Sequence, residues 1–272
     1  MHIFFLFIFS ILFTATNIDE LLLINQNMDP WGGYSVSTSD NLDAFTYNPA
    51  GFAIDKGTQK GYYKLATNNT LDSNSPLFIG NKFLGLGYSI QYNKGDKLFN
   101  ATDFKIAIAS KFSRTLAFGS QWSKYRKQIS SGFLFRPSNH ISIGSVFYFD
   151  DKFYKTQSNR TGLAIRAFKD DKITLGMDVI SSKIKTDTKK WVSSYSPFVD
   201  ICIGGALSVR SQFYFNSIDD IDTDNMSAVL SLNINFGKLT VHTNQNQHIV
   251  SGNNVYKNWG AGWYTSNYRK SN

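Results

Sequence analysis

From residue 60 onward, apolar and polar side chains alternate with a period of two, and this pattern restricts the chain more than any other feature. In "KITLGMDV", Ile173, Leu175, Met177 and Val179 fall on one side and Thr174, Gly176 and Asp178 on the other. In "ALSVRSQFYF", Leu207, Val209, Phe213 and Phe215 oppose Ser208, Arg210, Gln212 and Tyr214. "SAVLSLNINF" and "DFKIAIASKF" repeat the form, the latter with Phe104, Ile106, Ile108 and Phe112 against Lys105, Ala107, Ala109 and Lys111. Successive side chains of a strand point to opposite faces, so each segment reads as a two-faced β-strand. No stretch carries the 3.6-residue period of an amphipathic helix. The strands fall near 60–67, 75–79, 83–92, 103–112, 115–125, 129–136, 140–149, 160–168, 172–180, 195–203, 206–215, 226–236, 238–246 and 255–264, about fourteen in all.

The joins between them come in two kinds. Gly80-Asn81, Ser113-Arg114, Pro137-Ser138-Asn139, Asp170-Asp171, Gly204-Gly205 and Gly237-Lys238 are short turn signals between strands. Longer polar joins lie near 93–102, 150–159, 181–194, 216–225 and 247–254, with less distinct ones near 68–74 and 126–129. Short and long alternate, which puts all tight turns at one end of an up-and-down sheet and all loops at the other. That asymmetry, with strands of roughly nine to eleven residues, belongs to transmembrane barrels. Globular strands run about five or six residues. The expected fold is an all-β, transmembrane, antiparallel up-and-down barrel of about fourteen strands with an N-terminal plug. Its apolar rows face lipid and its polar rows face the lumen. Aromatic residues near strand ends (Tyr92, Phe112, Trp122, Phe149, Phe215, Phe236 and Trp263) supply two interfacial girdles.

The first residues, "MHIFFLFIFSILFTAT", hold an apolar run from Ile3 to Phe13, too short to span a bilayer and of the length of a secretory signal. Residues 1–16 are therefore expected to be a signal peptide. Residues 17–59 do not read as strand and form the expected hatch. Residues 60–265 form the barrel, and 266–272 a C-terminal tail. An interior of fourteen strands is wider than one that side chains fill unaided. Many expected lumen positions are small as well: Gly85, Gly87, Ala107, Ala109, Gly119, Gly144, Ala164, Gly176 and Gly260. A folded insert would close such a space.

Within the insert the order is Gly32-Gly33, the small run Ser35 to Ser37, Asp40 with Asp43, and then Asn48-Pro49-Ala50-Gly51-Phe52. This order, over about twenty-two residues, resembles the N-terminal signature of FadL-type outer-membrane proteins, which include long-chain fatty-acid transporters and the PorV/PorQ proteins of secretion. The resemblance implies a fourteen-stranded barrel in the bacterial outer membrane, with Gly32, Gly33, Asn48, Pro49, Ala50 and Gly51 in the hatch. It implies passive uptake of small hydrophobic molecules or, in the PorV-like branch, binding of a secreted or cell-surface protein. The ending "GAGWYTSNYRKSN" fits a short tail after the last strand, or the barrel portion of a larger split or fused protein. The expected partners are outer-membrane lipids with small hydrophobic molecules or a secreted protein, and no nucleic acid. The net charge of +8 is spread along the chain rather than gathered into a basic patch.

Lys105, Lys111, Arg166, Asp178, Asp200, Arg210, Lys238 and His242 carry charge or polarity onto the expected lumen face. Both signs are present, so a mutually satisfied wet interior is the simpler reading than an anion-selective lining. No catalytic set is expected. Of the four histidines only His242 falls inside, and no base or nucleophile is paired with it by spacing. The single cysteine, Cys202, falls beside the Gly204-Gly205 turn with no histidine near it in sequence, which suits an inert buried thiol. The acidic run at 218–225 lacks the glycine and distal glutamate of a calcium loop, so no metal or other cofactor is expected.

Overall fold

The computed structural model describes residues 35–54, 58–67, 77–93, 100–124, 127–150, 156–168, 172–183, 191–214, 227–248 and 254–264. Fourteen strands follow one another: β1 (Gln59–Thr67), β2 (Leu77–Phe83), β3 (Leu86–Asn93), β4 (Asn100–Lys111), β5 (Leu116–Ser123), β6 (Gln128–Phe135) and β7 (Ile141–Asp150) make the first half. The second half is β8 (Thr156–Arg166), β9 (Ile173–Lys183), β10 (Trp191–Ile203), β11 (Leu207–Tyr214), β12 (Ser227–Phe236), β13 (Leu239–His248) and β14 (Asn254–Tyr264). Each strand pairs antiparallel with the next, and β1 pairs with β14, so the sheet closes into a barrel without edges.

The alternation along each strand sorts the side chains as its period requires. On β4, Ile106 and Ile108 are exposed outward while Ala107 is buried inward. On β9, Thr174 and Asp178 are buried inward and Leu175 is exposed outward. Nearly half of Leu230, Phe236, Ile203, Ile165 and Phe118 or more is exposed. In water such a surface would be costly; in a bilayer it is the required lipid face. Phe112, Phe236 and Trp263 stand outward at the turn end, and Tyr92, Trp122 and Phe149 stand toward the loop end. Phe215 lies outside the described residues.

Two turns show how the joins are made. Gly204 and Gly205, between β10 and β11, both take positive φ (60° and 71°), and no atom lies within 4 Å of where a Cβ would stand on either. There the requirement is backbone freedom alone. The first hairpin corrects the sequence reading. Gly80 and Asn81 are not a turn; they lie inside β2, and the chain reverses at Leu84 and Gly85, with φ of 46° and 81°. Continuing the strand to Phe83 places Lys82 inward and sets Phe83 opposite Leu86 on the outer face. Gly85 accordingly belongs to this turn and not to the lumen wall. Lys238 is exposed in the turn between β12 and β13, not on the lumen face.

The closing seam is fixed by one aromatic ring. Tyr63 of β1 is fully buried and lies across Gly260 and Gly262 of β14, whose missing side chains leave room for it. The interior holds the buried core. Residues 35–54 lie inside the barrel, with two short 3-10 helices at Leu42–Phe45 and Pro49–Ala53. Nearly every residue of this segment is buried.

Candidate functional site

The lumen wall makes room for the inner segment by lacking side chains. Gly119 of β5, Gly132 of β6, Gly144 of β7 and Gly162 of β8 face inward along one diagonal track of neighbouring strands. A Cβ on Gly119 would stand 2.5 Å from the carbonyl carbon of Pro49. One on Gly132 would overlap the Asn48 side chain, and one on Gly144 the backbone of Val36. On Gly87 of β3 it would stand 2.9 Å from both Phe45 and Phe52. Main chain of the segment thus packs directly on main chain of the wall, a distance that only glycine allows.

Asn48 organises the segment. Its Oδ1 accepts from the Ala50 amide at 3.1 Å and caps the second 3-10 helix, with Pro49 in the first position where no amide is needed. Its Nδ2 donates to the Val36 carbonyl at 2.8 Å and to the Phe133 carbonyl of β6 at 2.9 Å. One side chain therefore ties two parts of the segment to each other and to the wall. Gly51 is needed for closeness and not for an unusual φ: a Cβ there would overlap the Ser39 carbonyl.

Cations and amides on the wall satisfy the segment's remaining backbone. The buried Nζ of Lys82 donates to the carbonyls of Asp40 at 2.8 Å, Gly51 at 3.3 Å and Ile54 at 2.7 Å. Gln121 Nε2 donates to the Phe45 carbonyl at 3.0 Å, and Gln59 Oε1 accepts from the Leu42 amide at 3.1 Å. Short 3-10 helices leave carbonyls without partners of their own, and a buried carbonyl must find a donor.

Two ion pairs flank this arrangement. Arg136, just past β6, holds both carboxylate oxygens of Asp40 and also donates from Nε to Ser142 Oγ at 3.0 Å. Deeper in the wall, Asp178 of β9 is fully buried. Its Oδ1 accepts from Ser35 Oγ at 2.6 Å, and its Oδ2 from the Val36 amide at 3.1 Å and Arg160 Nε at 2.7 Å. The Arg160 guanidinium also lies 4.7 Å from the centre of the Tyr47 ring.

Beside these polar ties sits an apolar cluster of Leu42, Ala44, Phe45, Phe52, Tyr63 and Ala107, with Phe78 and Ala109 packed against it. The Phe45 and Phe52 rings meet edge to face, 4.5 Å between centroids. The wall of β10 to β12 is polar by contrast. Ser208 Oγ donates to Asp200 at 2.9 Å, Arg210 Nη2 to Ser231 Oγ at 2.9 Å, and Gln212 Nε2 to Ser196 Oγ at 2.6 Å.

The residues singled out from sequence thus separate into groups. Asn48, Pro49, Ala50 and Gly51 form the second 3-10 helix and its cap, while Gly32 and Gly33 lie outside the described residues. Asp178 meets the segment. Asp200 and Arg210 stand directly opposite each other on β10 and β11. Lys105 lies midway along β4, Lys111 is exposed at its turn end, and Arg166 is buried at the turn end of β8. His242 occupies the register position between Asn233 and Gly260, and its side chain lies outside the described residues. Cys202 is buried on β10. The sequence reading missed Lys82, Arg136, Arg160, Gln121 and Gln59. A signal was present for Arg160, which shares its parity with Gly162, Ala164 and Arg166 and so had to point inward. Among the described residues, no three or more His, Cys, Asp or Glu side chains come together as a metal site would require.

No protein-family model and no curated protein sequence matches the chain. Among solved structures it is similar to the CymD monoaromatic hydrocarbon channel, with a TM-score of 0.51 and 10% identity over 87% of this chain and 96% of that one. It is also similar to the Acinetobacter baumannii outer membrane protein Omp33, with a TM-score of 0.50 and 7% identity over 77% of this chain and 97% of that one. At such identities the likeness is one of fold. Together with the closed fourteen-stranded sheet and its apolar outer face, it identifies an outer-membrane β-barrel, resident in the bacterial outer membrane.

Proposed function

We propose that this barrel is a plugged, passive channel of the FadL-like type for small hydrophobic molecules. The observation that carries the reading is the segment at residues 35–54. It occupies the lumen, packs its own Leu42, Ala44, Phe45 and Phe52 against Tyr63 and Ala107 of the wall, and is held by hydrogen bonds and ion pairs that can be exchanged for water or for one another. A barrel of this size without an insert would hold water. As the insert yields, the wall's share of that cluster, Tyr63 and Ala107 with Phe78 and Ala109, gives a hydrophobic solute a surface to meet. The CymD channel, whose name specifies monoaromatic hydrocarbons, shares the fold, and this is consistent with the same class of solute here.

The test is uptake of a radiolabelled monoaromatic hydrocarbon by cells with the barrel, without it, and with residues 35–54 deleted. The reading expects uptake to fall without the barrel and to rise with the deletion. Equal uptake by all three strains would refute it and would favour the protein-binding role that the PorV/PorQ likeness implies.

A further inference from the structure

The inner segment and the wall meet through aromatic rings at one recess. Phe45 and Phe52 of the segment both reach the place where Gly87 of β3 lacks a side chain. A Cβ there would stand 2.9 Å from Cζ of Phe45 and 2.9 Å from Cε1 of Phe52, so Phe45 enters tip first with Phe52 edge-on beside it. Gly87 pairs with Ala107 of β4, and Ala109 follows on the same face, so this side of the recess is built of small residues. Tyr63 and Phe78, paired across β1 and β2, supply rings to the other side. Tyr63 is sunk into the wall: its Cδ2 lies over Gly262 and its hydroxyl over Gly260, where no side chain stands.

The form of this recess selects a chemistry. Anchoring the segment needs only apolar area, which aliphatic side chains would also give. Here small residues stand where ring tips end, and further rings stand beside them. Phe45 and Phe52 meet at 4.5 Å and 61°, the edge-to-face contact that ring quadrupoles favour. The Phe45 ring carries no polar atom and is held by packing alone; the hydrogen bond at this residue is made by its backbone carbonyl to Gln121. A free benzene ring of the same size can therefore compete for the same contacts.

We propose that the recess of Tyr63, Phe78, Gly87, Ala107 and Ala109 is a binding site for one aromatic hydrocarbon ring, and that the Phe45 ring occupies it as a resident substitute. The inference rests on the plugged-channel reading and adds to it the solute's place and the means of release. A solute ring and the Phe45 ring exclude each other, so a solute that takes the recess frees the first 3-10 helix.

The test uses the full chain in detergent, with amide exchange over residues 40–54 as the readout. Benzene or cyclohexane is supplied at equal fractions of saturation, so that both have the same activity in the micelle. In the wild type, benzene is expected to speed that exchange at least about threefold, because a ligand of the open state raises its population in proportion to one plus concentration over Kd. Cyclohexane lacks the ring quadrupole and is expected to act about fivefold more weakly. In Phe45→Ala the recess is vacated with the segment in place, and benzene is expected to slow the exchange, since a ring-sized apolar cavity takes up benzene. Gly87→Val fills the recess from the wall and is expected to abolish the benzene response. Unchanged exchange in β10 to β12 and heat-modifiable mobility on gels report that each barrel is folded. No benzene effect on the wild type, an equal effect of cyclohexane, the same direction of change in the wild type and Phe45→Ala, or a full benzene response in Gly87→Val would overturn the proposal. The channel reading is judged apart from it. Barrel-dependent uptake without this exchange response overturns the ring site and leaves the channel, whereas the exchange response without uptake keeps the ring site and removes the channel.

Discussion

Arg160 Nε donates to Asp178 Oδ2 at 2.7 Å inside the barrel wall, and the same carboxylate accepts from Ser35 and Val36 of the inner segment. The wall's own ion pair and the anchor of the segment are one group. Asp178→Asn would keep the shape and leave the Arg160 charge without its counter-ion. A buried charge stripped of its partner costs about 3 kcal/mol or more. Urea unfolding in detergent should record that loss, and the double variant Arg160→Met/Asp178→Asn should recover most of it.

Lys82 acts on the segment's backbone, by donating to the carbonyls of Asp40, Gly51 and Ile54. In Lys82→Met the stem remains and the donors go. Hydrogen bonds to charged groups contribute about 1.5–3 kcal/mol each, and an orphaned carbonyl adds its own penalty. Amide exchange over residues 40–54 should accelerate by at least about tenfold, since local opening sets exchange rates. Exchange in β10 to β12 should not change.

The glycine track gives a separate handle on the insert. Gly144→Val or Gly119→Val adds bulk where the backbone of Val36 or Pro49 already sits, and the nearest atoms a Cβ would meet there are all in the segment. Forced overpacking costs about 1–3 kcal/mol, enough to displace the segment rather than the strand. Planar-bilayer recordings should show larger or more frequent openings in both variants. Ser120→Val, on the outer face of β5 next to Gly119, should conduct as the wild type does.

Phe45 is 2% exposed and joins both 3-10 helices to the wall through Phe52, Leu42 and Tyr63. Truncation to alanine removes the centre of that cluster. The expected loss is about 3–4 kcal/mol in the stability of the segment's docking. It should appear as protease cleavage within residues 40–54 of an otherwise folded barrel.

The barrel was legible because its evidence is repeated. A parity error in one strand is outvoted by thirteen others, and the alternation of short and long joins needs no single turn to be right. The first hairpin shows the limit. Gly80-Asn81 carries turn-forming residues, yet the turn fell on Leu84-Gly85, because strand parity and the inward demand of Lys82 outweighed local preference. The site was harder to read. Asn48 and Gly51 stood out by type, and Asp178 by its place in a clean alternating strand. Lys82 did not, because it followed a misplaced turn, and Arg136 did not, because it stood at a strand end. Their importance comes from carbonyls on another part of the chain, and a carbonyl has no letter in a sequence.

The partners that hold residues 35–54 are spread over Gln59, Lys82, Gln121, Phe133, Arg136 and Asp178. Ser35 must wait for a residue 143 positions downstream. A portion synthesised before the strands that hold it is therefore among the last to gain its contacts, and assembly resembles rolling a wall around a guest that is already tethered to its leading edge. A ribosome or translocase that paused before β9 would leave the guest without its deepest anchor, however well the earlier hairpins had paired.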